Sequence, residues 1–119
     1  MTQETFADLG VEAPIVESLT NAGITHPFPI QALTLPVALT GADIIGQAKT
    51  GTGKTLGFGI PLLQRILGEQ SREQGRAPRA LVVVPTRELA HQVADDLRVA
   101  SRTFSPSIVT IYGGKDFEP

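Results

Sequence analysis

Apolar runs punctuated by glycine predict that this 119-residue chain folds as one α/β domain, helices laid on a parallel sheet. Three observations carry the expectation. Ala80-Leu81-Val82-Val83-Val84 is a continuous apolar run of the kind a strand covered on both faces requires, and Pro85 stops its extension. Leu56, Ile60, Leu63 and Leu67 recur at helical spacing between that run and an earlier one. The earlier run, Asp43 to Ala48, feeds directly into a Gly/Thr-rich loop.

Taken from the N-terminus, Pro14 suits a first helical turn because its missing N–H has no intrahelical partner there. Ile15, Val16, Leu19 and Ala22 then make an apolar stripe, so a helix is predicted over Pro14 to Ala22, ended by Gly23. A second helix starts near Pro29 with Ile30, Leu33 and Val37 on one face and Gly41 as its stop, Pro36 bending it or capping its last turn. Gly23 to Phe28 is the turn between them. A third helix runs from Gly53, kinked at Pro61 and closed by Gly68. Glu69 to Pro78 mixes both charge signs without apolar periodicity and reads as a solvated connector. Thr86 caps a fourth helix with Leu89, Val93, Leu97 and Ala100 on its face, and Ile108 to Tyr112 forms a last strand before Gly113-Gly114.

Composition bounds the chemistry. The formal net charge is −2, and 41% of residues are hydrophobic against 18% charged, which excludes a disordered chain. There is no cysteine, hence no disulfide, thiol catalysis or thiolate metal site, and the two isolated histidines, His26 and His91, read as exposed surface residues. No apolar run approaches the ~20 residues a membrane helix needs, and the polar start lacks a signal-peptide pattern, so a soluble, cytoplasmic protein is expected. Residues 1 to 45 carry five carboxylates and no Lys or Arg. Contact with a polyanion therefore depends on a few placed cations and not on a basic surface.

Two of the three lysines lie in Ala48-Lys49-Thr50-Gly51-Thr52-Gly53-Lys54-Thr55, between a predicted strand and a predicted helix. That setting suits phosphate. Glycines let backbone N–H groups converge on the anion, the helix N-terminus adds positive potential, Lys54 reaches the β and γ phosphates, and the Thr55 hydroxyl can ligate Mg²⁺. A second constellation is Gly23-Ile24-Thr25-His26-Pro27-Phe28-Pro29-Ile30-Gln31 with Phe6 upstream. The Gln31 carboxamide has the donor and acceptor that adenine N6 and N7 require, and Phe6 either stacks on a base or belongs to the core. Pro85-Thr86-Arg87-Glu88-Leu89-Ala90 and Tyr112-Gly113-Gly114 both follow predicted strands, at the sheet edge where α/β ligands bind. Their hydroxyl, guanidinium and bare amides are donors suited to a phosphodiester backbone, and equally to a helix cap or a tight turn.

In this order, from Phe6 to Gly114, these motifs resemble the DEAD-box family of RNA helicases. The resemblance implies that residues 1–119 are the N-terminal portion of a RecA-like ATP-binding domain, cut before the acidic Asp-Glu-Ala-Asp strand. Its Q motif is 23–31, its P-loop 48–55, and its later motifs 85–90 and 113–114. By that resemblance Phe6, Ile24 and Gln31 hold adenine, Thr50, Gly51, Thr52, Gly53, Lys54 and Thr55 hold the phosphates and Mg²⁺, and Thr86, Arg87, Gly113 and Gly114 meet RNA. Phe28 departs from the family, which has Ser or Thr there. The parent is expected to couple ATP hydrolysis to local RNA unwinding, the fragment to be inactive and to self-associate through exposed sheet edges. Two other functions fit the same motifs: a nucleotide-binding regulatory module without turnover, and a DNA-directed P-loop ATPase.

Overall fold

The computed structural model describes residues 4–46, 53–68 and 78–113. Within them a 3-10 turn at Ala7–Leu9 precedes four helices: α1 (Ala13–Asn21), α2 (Pro29–Ala38), α3 (Lys54–Gly68) and α4 (Arg87–Ala100). Their starts obey local rules. Proline occupies the first turn of α1 and of α2, and the Thr86 hydroxyl accepts the Leu89 N–H at 3.1 Å to cap α4. Pro36 and Pro61 lie inside α2 and α3, which both continue past them.

The core is where the helices meet. Ile15 and Leu19 of α1, Leu35 of α2, Ile60 and Leu63 of α3, and Val93, Leu97 and Ala100 of α4 are buried together with Phe6 and Val11. α3 lies centrally, packed on the other three helices. Gly59 permits its approach to α4, because a Cβ there would fall 2.6 Å from Leu97 Cδ2. Polar ties fix the arrangement. Ser18 and Thr103 hydroxyls both donate to the Pro14 carbonyl, at 2.9 and 2.7 Å, and Thr103 N–H donates to Ser18 Oγ at 3.1 Å, tying α1 to the chain beyond α4. Gln64 of α3 accepts the Glu12 N–H at 2.8 Å and donates to the Gly10 carbonyl at 3.1 Å.

The predicted parallel sheet is not formed: the described residues contain four helices and the 3-10 turn, and no strand. The segments 43–46, 80–84 and 108–112 carry no regular secondary structure, and among the described residues no backbone hydrogen bond joins any of them to another. An extended segment becomes a strand only when a neighbouring backbone supplies its donors and acceptors. Apolar content alone cannot supply a neighbour. Burial is also one-sided where a central strand would be covered on both faces: Val82, Val84 and Ile108 rest against the core, while Leu81 and Val83 are 86% and 83% exposed. Without a sheet, the expected self-association through sheet edges has no basis.

Helix α2 differs in its face. Leu33 and Val37, predicted inward, are exposed, and Leu35 with Gln31 is buried instead. Apolar residues stand at 30, 33, 35, 37 and 39, so two stripes fit the helical period and packing against α3 selects between them. Among the described residues no helix is long and apolar enough to cross a membrane.

Candidate functional site

Lys54 and Thr55 open α3, Lys54 exposed at the first helical position and Thr55 half-buried behind it. A cation at a helix N-terminus opposes the helix dipole, so its presence there indicates an anionic ligand more than helix stability. Gly53 precedes them with φ +82°, in the left-handed region that side chains disfavour. Space demands glycine as well. A Cβ at this position would collide with Gln31 Nε2 and with the Phe28 ring. Ala48, Lys49, Thr50, Gly51 and Thr52, the rest of the predicted phosphate loop, lie outside the described residues.

Gln31 holds this end of the loop. Its side chain is 2% exposed, its Oε1 accepts the Phe28 N–H at 2.9 Å, and its Nε2 donates to the Gly53 carbonyl at 2.9 Å. The first bond caps α2 from its third residue, which is what the entry turn needs when the N-cap residue, Phe28, has no hydrogen-bonding side chain. The second crosses 22 positions to the predicted phosphate loop. Phe28, 52% exposed, lays its ring beside Gly53.

The remaining residues of the predicted adenine site face the core. Phe6 is 2% exposed and part of the core, and Ile24 packs half-buried against that core. His26 is exposed in the turn, its Nδ1 3.0 Å from the Thr25 hydroxyl.

Asp96 of α4 is not among the predicted site residues. Half-buried, it stands beside the Thr55 hydroxyl. Burial pushes its carboxyl above the usual value of 3.8, the Thr55 hydroxyl pulls the other way, and neighbouring Asp95 adds to the rise. Its register is the single signal for it in the sequence: Asp96 is three residues beyond Val93 on a helix whose Val93 and Leu97 face the core. Hydroxyl and carboxylate are hard oxygen donors, a set that suits Mg²⁺ held chiefly by substrate phosphates. Among the described residues no group of three His, Cys, Asp or Glu could hold a metal by itself.

Two of the predicted RNA-facing residues, Thr86 and Arg87, stand at the start of α4. Thr86 spends its hydroxyl on the cap, and Arg87 is exposed with its Cζ 4.9 Å from the Tyr112 ring centroid. His91, one turn further along, meets the same ring edge-on, with centroids 5.3 Å apart and planes at 69°. Gly113, which follows Tyr112 in the chain, is exposed, and Gly114 lies outside the described residues. The structure therefore brings Arg87 to Tyr112 and Gln31 to Gly53.

A family model described as DEAD/DEAH box helicase matches residues 28–119. The chain is 46% identical over 117 residues to the ATP-dependent RNA helicase DeaD of Klebsiella pneumoniae, covering 98% of this chain and 17% of that protein. Among solved structures it is similar to the RNA-helicase Prp28 from Chaetomium thermophilum bound to ADP, with TM-score 0.82, 34% identity, 98% of this chain and 28% of that one covered. It is similar also to a DEAD box protein from the hyperthermophile Methanococcus jannaschii, with TM-score 0.81, 33% identity and coverage of 97% and 31%. The chain spans less than a third of each of these relatives.

Proposed function

Because the chain belongs to the DEAD/DEAH box helicase family, we propose that it supplies the nucleotide-phosphate site and part of the RNA-backbone surface of an ATP-dependent RNA helicase. The observation that supports this most is the tie from Gln31 to the Gly53 carbonyl, which fixes the residue immediately before Lys54 and Thr55. In this reading Thr50 to Thr55 surround the phosphates, Lys54 offsets their charge, and the Thr55 hydroxyl, oriented by Asp96, faces Mg²⁺. Mg²⁺, when bound, would supply charge neutralisation for the phosphate oxygens. What the chain's own residues contribute is placement, since phosphoryl transfer depends on positioning and electrostatics more than on covalent chemistry.

Gln31 has a double task in this reading. Its carboxamide spends one lone pair on Phe28 N–H and one N–H on Gly53 O, leaving a second N–H for adenine N7 and a second lone pair for N6, while Phe6 and Ile24 support the turn from the core. Thr86, Arg87, Gly113 and Gly114 face the RNA backbone. The full-length protein couples ATP hydrolysis to local RNA strand separation, in the cytoplasm. This chain, which holds no Asp-Glu-Ala-Asp segment, neither turns ATP over nor unwinds RNA by itself.

The test is calorimetric titration of the full-length protein with Mg·ADP and Mg·GDP. A bidentate contact discriminates by roughly 1–3 kcal/mol, so ADP is expected to bind about ten-fold or more tighter, and Gln31→Ala to erase most of that difference. Equal affinity of the wild-type protein for the two nucleotides contradicts the reading.

A further inference from the structure

Arg87 occupies an unfavourable place for a guanidinium. It is the first residue of α4, where the helix dipole favours anions, and among the described residues no carboxylate pairs with it. What it does have is an aromatic face: Arg87 Cζ stands 4.9 Å from the centroid of the Tyr112 ring, within cation–π range. The ring is itself fixed, half-buried, with the His91 ring set edge-on against it at 5.3 Å. Two segments distant in sequence thus meet at one side chain, and neither Tyr112 nor His91 belongs to the residues assigned to RNA above.

We propose that Tyr112 is a positioning residue for RNA binding: its ring holds the Arg87 guanidinium at the start of α4, so that the arginine meets a backbone phosphate already ordered, with His91 bracing the ring. The inference rests on the RNA-backbone reading of Arg87. A long exposed arginine loses rotamer freedom when it binds, and ordering it beforehand removes that cost from the binding step. Charge and order are separable here. Arg87 supplies the charge that displaces a counterion from RNA; Tyr112 supplies only order.

The experiment measures affinity of the full-length protein for a fluorescein-labelled single-stranded oligouridylate by anisotropy across a salt series. Variants are Arg87→Ala, Tyr112→Leu, Tyr112→Phe and the Arg87→Ala/Tyr112→Leu pair, each checked for an unchanged melting profile. Leucine keeps apolar bulk without a π face; phenylalanine keeps the ring. Tyr112→Leu is expected to weaken binding about two- to five-fold at every salt concentration, the span of an exposed cation–π contact, without altering the salt slope. Tyr112→Phe is expected to restore wild-type affinity. Arg87→Ala weakens binding and lowers the slope by about one, and adding Tyr112→Leu to it costs nothing further. Wild-type affinity in Tyr112→Leu alongside a weakened Arg87→Ala overturns the positioning role alone, as does additivity of the pair. An unchanged affinity in Arg87→Ala overturns both this role and the RNA reading beneath it.

Discussion

Gln31 divides its carboxamide between two main-chain groups, and so joins the turn before α2 to the residue before Lys54. Gly53 is the other half of that joint. Gly53→Ala forces a side chain into φ +82° and into the Gln31 amide and Phe28 ring, so it is expected to cost about 1–3 kcal/mol in urea denaturation and to weaken Mg·ADP binding together with it. Gln31 stands out in the sequence as a candidate adenine reader; its bond to Gly53 is not legible there, because the two are 22 positions apart and only packing of α2 on α3 brings them together. Asp96 is hidden for the same reason, being close to Thr55 only through the contact of α4 with α3. Asp8 is the opposite case, a wholly local device. Its carboxylate accepts the Thr5 N–H at 2.9 Å while Thr5 Oγ1 accepts the Asp8 N–H at 3.2 Å, and the backbone bond first, then the hydroxyl, hold its carboxyl below the usual 3.8. A lowered folded pKa means stability present above 3.8 and lost as pH falls through the folded value. Asp8→Asn is therefore expected to melt below wild type near neutral pH, the gap closing in acid; a gap independent of pH would refute the assignment.

Among the elements, helix starts are legible because proline, threonine and glycine act within a turn of where they stand. Thr86 is the clearest instance, and Thr86→Ala is expected to cost about 1 kcal/mol in thermal or urea unfolding through loss of the bond to Leu89 N–H. The face of α2 is not legible, since Leu33 and Leu35 fit alternative stripes and only the approach of α3 decides between them. Strands are least legible of all. Ala80 to Val84 has the composition of a central strand, yet pairing is a property of two segments, and no neighbour completes a ladder with it among the described residues. Where α3 meets α4 the steric logic is testable. Gly59→Ala drives a methyl into Leu97 and is expected to destabilise by about 1–3 kcal/mol despite alanine's better helix propensity. In a Leu97→Ala background, itself destabilised by about 2–5 kcal/mol, the same change is expected to be neutral or favourable, which a double-mutant cycle in urea measures.

Across the whole molecule, two helices present a cation at their N-termini, Lys54 on α3 and Arg87 on α4, on a chain whose formal charge is −2 and whose first 45 residues hold no Lys or Arg. In the proposed reading these two cations serve nucleotide phosphates and an RNA backbone, and contact between α3 and α4 keeps them in one frame. The proposed phosphate site is written locally, in the consecutive residues Gly53-Lys54-Thr55, whereas the residues around it, Gln31, Phe28 and Asp96, reach it only through packing. RNA-stimulated phosphate release by the full-length protein, wild type against Lys54→Ala, is the most direct test. Lys54 is exposed and outside the core, so the variant should fold and melt as wild type does while losing several kcal/mol of barrier reduction, a fall in turnover beyond about a hundred-fold. Turnover retained in Lys54→Ala with its stimulation by RNA intact would show that the phosphates are not held where Gly53, Lys54 and Thr55 open α3.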